Sequence, residues 1–106
     1  MLESEIQKQI IKYLDLKGIY YFSVPNELGG KGKAAMIRTR KLKGMGLKSG
    51  VADLVVLLPG EALFLEVKQP KKYQRPSQKE FEEIVSDLGF RYYVVRSLED
   101  VVEVIE

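Results

Sequence analysis

The sequence contains no cysteine and no histidine. The first absence excludes a disulfide framework, and the two together exclude a zinc site built from Cys and His. Any metal would have to be held by oxygen, which points to magnesium or manganese. Long apolar runs are missing as well. A stretch such as Val51–Leu58 contains the charge of Asp53 and is too short to cross a bilayer. The opening residues Leu2, Glu3, Ser4 and Glu5 lack the basic segment of a secretory signal. The expectation is a cytoplasmic protein with no membrane partner.

A strong net charge is also absent, since the formal balance is only +2. That figure hides an asymmetry. Seven basic residues (Lys31, Lys33, Arg38, Arg40, Lys41, Lys43 and Lys48) lie between Leu28 and Ala52 with no acidic residue among them. From Glu80 onward eight acidic residues face only Arg91 and Arg96. Charge runs are often no more than solvated faces, but this one gives a candidate surface for a polyanion. The length of 106 residues, with 45% apolar and 30% charged residues, suits one soluble domain spanning 1–106.

Periodicity divides the chain into eight elements. Glu3–Lys17 reads as a helix, with Ile6, Ile10, Ile11 and Leu14 at helical spacing and Gly18 as a stop. Ile19–Val24 reads as a strand ended by Pro25, and Asn26–Gly32 as a loop. Lys33–Lys43 reads as a helix, followed by a loop marked by Gly44, Gly46 and Gly50. Val51–Leu58 and Ala62–Lys68 read as strands of a hairpin turned by Pro59-Gly60-Glu61. Ser77-Gln78-Lys79-Glu80 fits a capping box that opens a helix through Leu88. Arg91–Arg96 reads as a strand, and Ser97 with Asp100 as the cap of a last short helix. The order αβαββαβα predicts an α/β domain, a mixed four-stranded sheet flanked by helices.

Chemistry concentrates at one end of the expected hairpin. Asp53 lies where its first strand starts, and Glu66 and Lys68 lie where its second strand ends. Alternation of side chains sends Glu66 and Lys68 to the same face, and antiparallel pairing sets Asp53 beside Glu66. Carboxylates within such apolar strands are costly unless paired or bound to metal, and a divalent ion removes the repulsion between two of them. Asp53, Glu66 and the carbonyl of Val67 would hold such an ion, and Lys68 would orient a water or stabilise charge on a phosphate. The simpler alternative is a salt bridge from Lys68 to one of the carboxylates. The glycine-rich Gly29-Gly30-Lys31-Gly32-Lys33 lacks the spacing of a nucleotide-binding loop, so nucleotide hydrolysis is not expected.

Gly50-Val51-Ala52-Asp53 and Glu66-Val67-Lys68 resemble the G-V-P-D and E-x-K signatures of the VRR-NUC (virus-type replication-repair nuclease) branch of the PD-(D/E)XK nuclease superfamily. Ala52 departs from the proline of that pattern without removing a ligand. Val24-Pro25-Asn26-Glu27 is similar to the branch too, and Gln78 and Glu5 match its helix glutamine and its N-terminal glutamate. The resemblance covers nearly the whole chain. It implies a restriction-endonuclease-like core and a magnesium- or manganese-dependent endonuclease acting on DNA. Branched DNA such as a Holliday junction, a role in replication, recombination or repair, and a homodimer are implied in the same way. A bacterial or phage-infected cell is the implied setting. Asp53, Glu66, Lys68, Gln78 and Glu5 would form the catalytic set, and Lys31 to Lys48 would contact phosphates. A DNA-binding module that keeps the fold without catalysis is the main alternative, and a small interaction domain with solvated charges is a third.

Overall fold

The computed structural model describes residues 1–25 and 31–106. Its elements run α1 (Glu3–Leu16), β1 (Tyr20–Ser23), α2 (Lys33–Gly44), β2 (Leu54–Leu58), β3 (Glu61–Val67), α3 (Pro76–Asp87), β4 (Arg91–Val95) and α4 (Leu98–Ile105). The expected order is met throughout. The loop expected at Asn26–Gly32 lies mostly outside the described residues, as do Asn26 and Glu27 of the similar segment.

One sheet of order β1-β2-β3-β4 organises the chain. β1 and β3 both run antiparallel to β2, and β4 joins β3 in parallel. The parallel step is reached through α3, which supplies the crossover that such a pair requires. Alternation along the strands makes two apolar faces. Leu54, Val56, Leu63, Leu65, Val67 and Val95 form one with Ile6, Ile10 and Leu14 of α1 and Val101 of α4. The helix residues recur every four positions, so one stripe of α1 is apolar and lies on the sheet. Val85 of α3 and Tyr92 of β4 fill the other face with Ala52, beside Phe64 and Phe81. Phe64 meets Phe81 and Phe90 edge-on, at ring-centroid distances of 5.5 and 5.8 Å. The result is helices on both sides of a sheet whose central strand, β3, carries the site.

Two local details differ from the sequence expectation. The capping box of α3 opens two residues earlier: Arg75 holds the cap position, and its backbone N–H donates to Gln78 Oε1 at 2.8 Å. Proline fits just inside that start, because its missing N–H would have no helical partner there. The strand β2 begins at Leu54, leaving Val51, Ala52 and Asp53 in the turn that feeds it. At the last helix the expected cap is present, with Ser97 Oγ accepting from the Asp100 N–H at 3.2 Å.

The helix α2 stands apart. None of its Cα atoms comes within 8 Å of another helix or strand, and the molecule extends 45 × 32 × 26 Å. Only Ala35 of this helix is buried, while Met36 and Ile37 are more than half exposed.

Candidate active site

The register carries Asp53 to Glu66. Leu54 pairs with Leu65, so the next residues outward on the two strands are Asp53 and Glu66. Asp53 turns back across the pair, and its Oδ2 accepts the backbone N–H of Val67 at 2.8 Å. That bond replaces the strand pairing β2 no longer offers past Leu54, so the carboxylate also closes the end of the sheet.

Glu66 is almost fully buried, at 2% exposure. Its Oε2 accepts from Gln78 Nε2 at 3.1 Å, while the buried Oε1 has no hydrogen-bond partner among the described residues. Burial pushes the Glu66 carboxyl up from 4.5 to about 9. A hydrogen bond from its acid form to Asp53 and the charge of Asp53 add to the shift, Lys68 opposes it, and Glu3 contributes from across the site. Gln78 joins the parts: its amide nitrogen reaches Glu66 and its amide oxygen holds the first turn of α3. A glutamine does both at once because one amide carries both donors and acceptors.

Gly50 fixes the approach of the Asp53 turn to α3. Its φ is +78°, and a Cβ at this position would stand 2.2 Å from the Ser77 carbonyl oxygen. No side chain fits such a contact. The residue is required by close backbone passage as well as by its left-handed conformation.

Lys68, the third member of the set, follows β3 and is 9% exposed. Among the described residues it makes no ion pair with Asp53 or Glu66; the salt bridges found are Lys17–Glu106 and Arg91–Glu61. The salt-bridge alternative is therefore not what the structure contains. Lys68 lines a cleft of about 210 Å³ with Glu3, Gln69, Lys72 and Tyr73.

The first turn of α1 brings Glu3 to this cleft, whereas Glu5 is exposed and does not line it. The family resemblance pointed to Glu5; the side chain lining the cleft with Lys68 is the first residue of the helix. The reading from sequence missed Glu3 because nothing in the chain records where a helix start will dock. The basic residues Lys33, Arg38, Arg40, Lys41 and Lys43 lie exposed on α2, with Lys31 before it and Lys48 after it. The structure thus gathers Asp53, Glu66, Lys68 and Gln78 into one site and leaves the basic helix separate.

The donor set suits a hard divalent ion. Among the described residues no group of three or more Asp or Glu side chains is placed to hold a metal ion. Two carboxylates meet, one with a buried oxygen lacking a partner, and magnesium is commonly held by one or two carboxylates with water and substrate oxygens completing its shell. An unpartnered buried oxygen is costly, and an ion or proton removes that cost.

No family model matches the chain, and no curated protein does either. Solved structures do. The chain is similar to a VRR_NUC domain protein with a TM-score of 0.75 and 23% identity, over 99% of this chain and 85% of that one. It is similar to a second VRR_NUC domain with a TM-score of 0.68 and 25% identity, over 97% of this chain and 92% of that one. The resemblance read from the two short motifs and the α/β fold expected with it are both met by the three-dimensional structure.

Proposed function

We propose that this chain, which has the fold of VRR_NUC domains, is a metal-dependent endonuclease that hydrolyses DNA phosphodiester bonds. The observation that carries the reading is the meeting of Asp53 with a buried, half-satisfied Glu66 at one sheet end, Lys68 next but one along the chain. A structural role alone does not account for Glu66. A glutamine or leucine there would avoid the cost of a buried carboxylate, whereas an ion-binding site requires it.

Asp53, Glu66 and the carbonyl of Val67 would hold magnesium or manganese. The bound ion would polarise a phosphodiester and lower the pKa of a water. The protein's own groups do the rest. Asp53 is oriented by the Val67 N–H and Glu66 by Gln78, so neither carboxylate has to be ordered when substrate arrives. Lys68 lines the cleft, where its ammonium would orient the attacking water or stabilise negative charge on phosphate. Glu3 would support the site from α1, in the place the sequence reading gave to Glu5. The basic residues on and around α2 would grip the backbone of the duplex without reading its bases.

Branched DNA is the proposed substrate and a homodimer the proposed active species. Support for the second comes from the β1 edge. Tyr20, Phe22 and Leu57 are 69%, 46% and 43% exposed and share one face of the sheet beyond the reach of α3. The apolar stripe of α4, by contrast, is used in the core. Light scattering that gives 12.1 kDa at working concentration would dismiss the dimer.

The central test is cleavage of labelled linear, flapped and four-way DNA with magnesium or manganese, by the wild type and Asp53→Asn. Asparagine keeps an acceptor for the Val67 N–H and removes the charge. Metal-dependent cleavage by the wild type and none by Asp53→Asn is the expected pair. Salt-sensitive binding without turnover in any metal would favour the DNA-binding module instead.

A further inference from the structure

The loop between β3 and α3 is basic and presents an aromatic ring to solvent. From Lys68 to Lys79 the chain carries Lys68, Lys71, Lys72, Arg75 and Lys79 with no acidic residue among them. Lys71, Lys72 and Arg75 are exposed. Tyr73, in their midst, is 78% exposed and lines the cleft that Lys68 enters.

This ring is not the tip of a loose loop. On one side Arg96 donates from Nη2 to the Lys72 carbonyl at 2.9 Å. On the other, Gln74 Nε2 donates to Tyr92 Oη at 3.0 Å and to Glu82 Oε1 at 3.1 Å. Both neighbours of Tyr73 are thus tied to the folded body. Lys71 takes a φ of 69°, a left-handed conformation unusual for a lysine, to bring the loop round. The Arg96 guanidinium lies 5.8 Å from the centre of the Tyr73 ring. An anchored loop that holds an aromatic ring in water beside Lys71, Lys72, Arg75 and Arg96 has the parts of a nucleic-acid stacking platform: a π-face, cationic support and charges for the flanking backbone.

We propose that Tyr73 stacks on an unpaired nucleotide of the DNA substrate, with Lys71, Lys72 and Arg75 on the adjoining phosphates. The ligand class rests on the nuclease reading; the unpaired state follows from the ring. Inside a duplex each base already stacks on its neighbours, and only a base outside the helix offers a free face. Among the described residues, Glu3 is the one acidic side chain lining the cleft. It suits a base edge carrying N–H donors. Phosphates are left to the lysines on the rim. A strand displaced at a branch point would therefore run from the cleft across the β3–α3 loop, while the duplex lies elsewhere.

The test is metal-free binding in EDTA, read by the fluorescence of 2-aminopurine placed in the single-stranded tail of a tailed duplex. A blunt duplex of the same paired sequence, carrying a dye for anisotropy, is the control. The wild type should quench the tail probe and prefer the tailed duplex. Tyr73→Ala should lose the quenching and weaken tailed binding about 10- to 100-fold, the range expected for one stacked base, while leaving blunt binding unchanged. Tyr73→Phe should behave as the wild type. Equal weakening of both ligands by Tyr73→Ala, no effect on either, or a Tyr73→Phe variant as poor as Tyr73→Ala would overturn the proposal. Turnover enters none of these readings. A tail preference that needs Tyr73, in a protein that cleaves nothing, would remove only the nuclease reading. Cleavage with a tail preference indifferent to Tyr73 would remove only the platform.

Discussion

Replacing Glu66 by glutamine should stabilise the metal-free protein at neutral pH while abolishing its activity. Glutamine has the size of the protonated acid. It can accept from Gln78 as Glu66 does, and can donate to Asp53 as the acid form would. The energetic effect follows from proton linkage. In the unfolded chain Glu66 ionises near 4.5, whereas in the folded protein burial first, and then Asp53, hold the proton until about pH 9. Between those values the unfolded state has released a proton that the folded state keeps, so stability falls as pH rises. The contribution is fully present below pH 4.5 and is lost progressively up to about pH 9.

Each pH unit in that window is worth about 1.4 kcal/mol. At pH 7 the wild type has lost about 3 kcal/mol relative to its acid side, and Glu66→Gln has lost none of it. For a domain of this size that corresponds to a difference in midpoint of roughly 10–20 °C. The assay is urea unfolding of both proteins in EDTA at intervals from pH 5 to 8.5, compared as a difference so that all other titrations cancel. The gap should widen steadily with pH in favour of Glu66→Gln. Manganese should then narrow it, by stabilising the wild type alone through mass action on the folded state. A gap that stays constant across the range would refute the reasoning, since it would mean that Glu66 ionises alike in the folded and unfolded chains.

Two further predictions test the frame around the site. Gly50→Ala should destabilise the protein by more than about 2 kcal/mol, because a left-handed alanine costs roughly 1–2 kcal/mol before any relief of the contact with the Ser77 carbonyl. Thermal unfolding measures that loss and cleavage reports whether the site survives; a variant as stable and as active as the wild type would show that the turn tolerates a side chain. Replacing both Lys41 and Lys43 of α2 with alanine should weaken binding to all duplex sequences alike and reduce the slope of log affinity against log salt by about 2. An unchanged slope would take this helix off the duplex.

The different legibility of these parts in the sequence has a physical cause. The sheet and its helices were readable because each must bury a stripe or a face, and that demand writes itself as a period: Ile6, Ile10 and Leu14 four apart, Leu63, Leu65 and Val67 two apart. The meeting of Asp53 and Glu66 was readable for the same reason, since the two-residue hairpin turn fixes register and register fixes neighbours. Gln78 came from the resemblance, yet its place in the capping box was misread by two residues, because serine is the commoner cap and Arg75 gives no such signal. Glu3 and Tyr73 were not legible at all. Both depend on how a chain end or a loop docks against an element distant in sequence, and no period records that. The resulting division bears on how the site works. The residues fixed by strand register include a buried carboxylate, Glu66, whose cost the proposed chemistry would explain. The residues brought in by docking, Glu3 from α1 and Tyr73 from the β3–α3 loop, line the cleft beside Lys68. Strand geometry can set the proposed hydrolytic centre alike in any chain with this register, whereas the docked residues can differ from one chain to the next. Substrate choice is therefore the property to be sought in the loop and the helix start, and catalysis the one to be sought in β2 and β3.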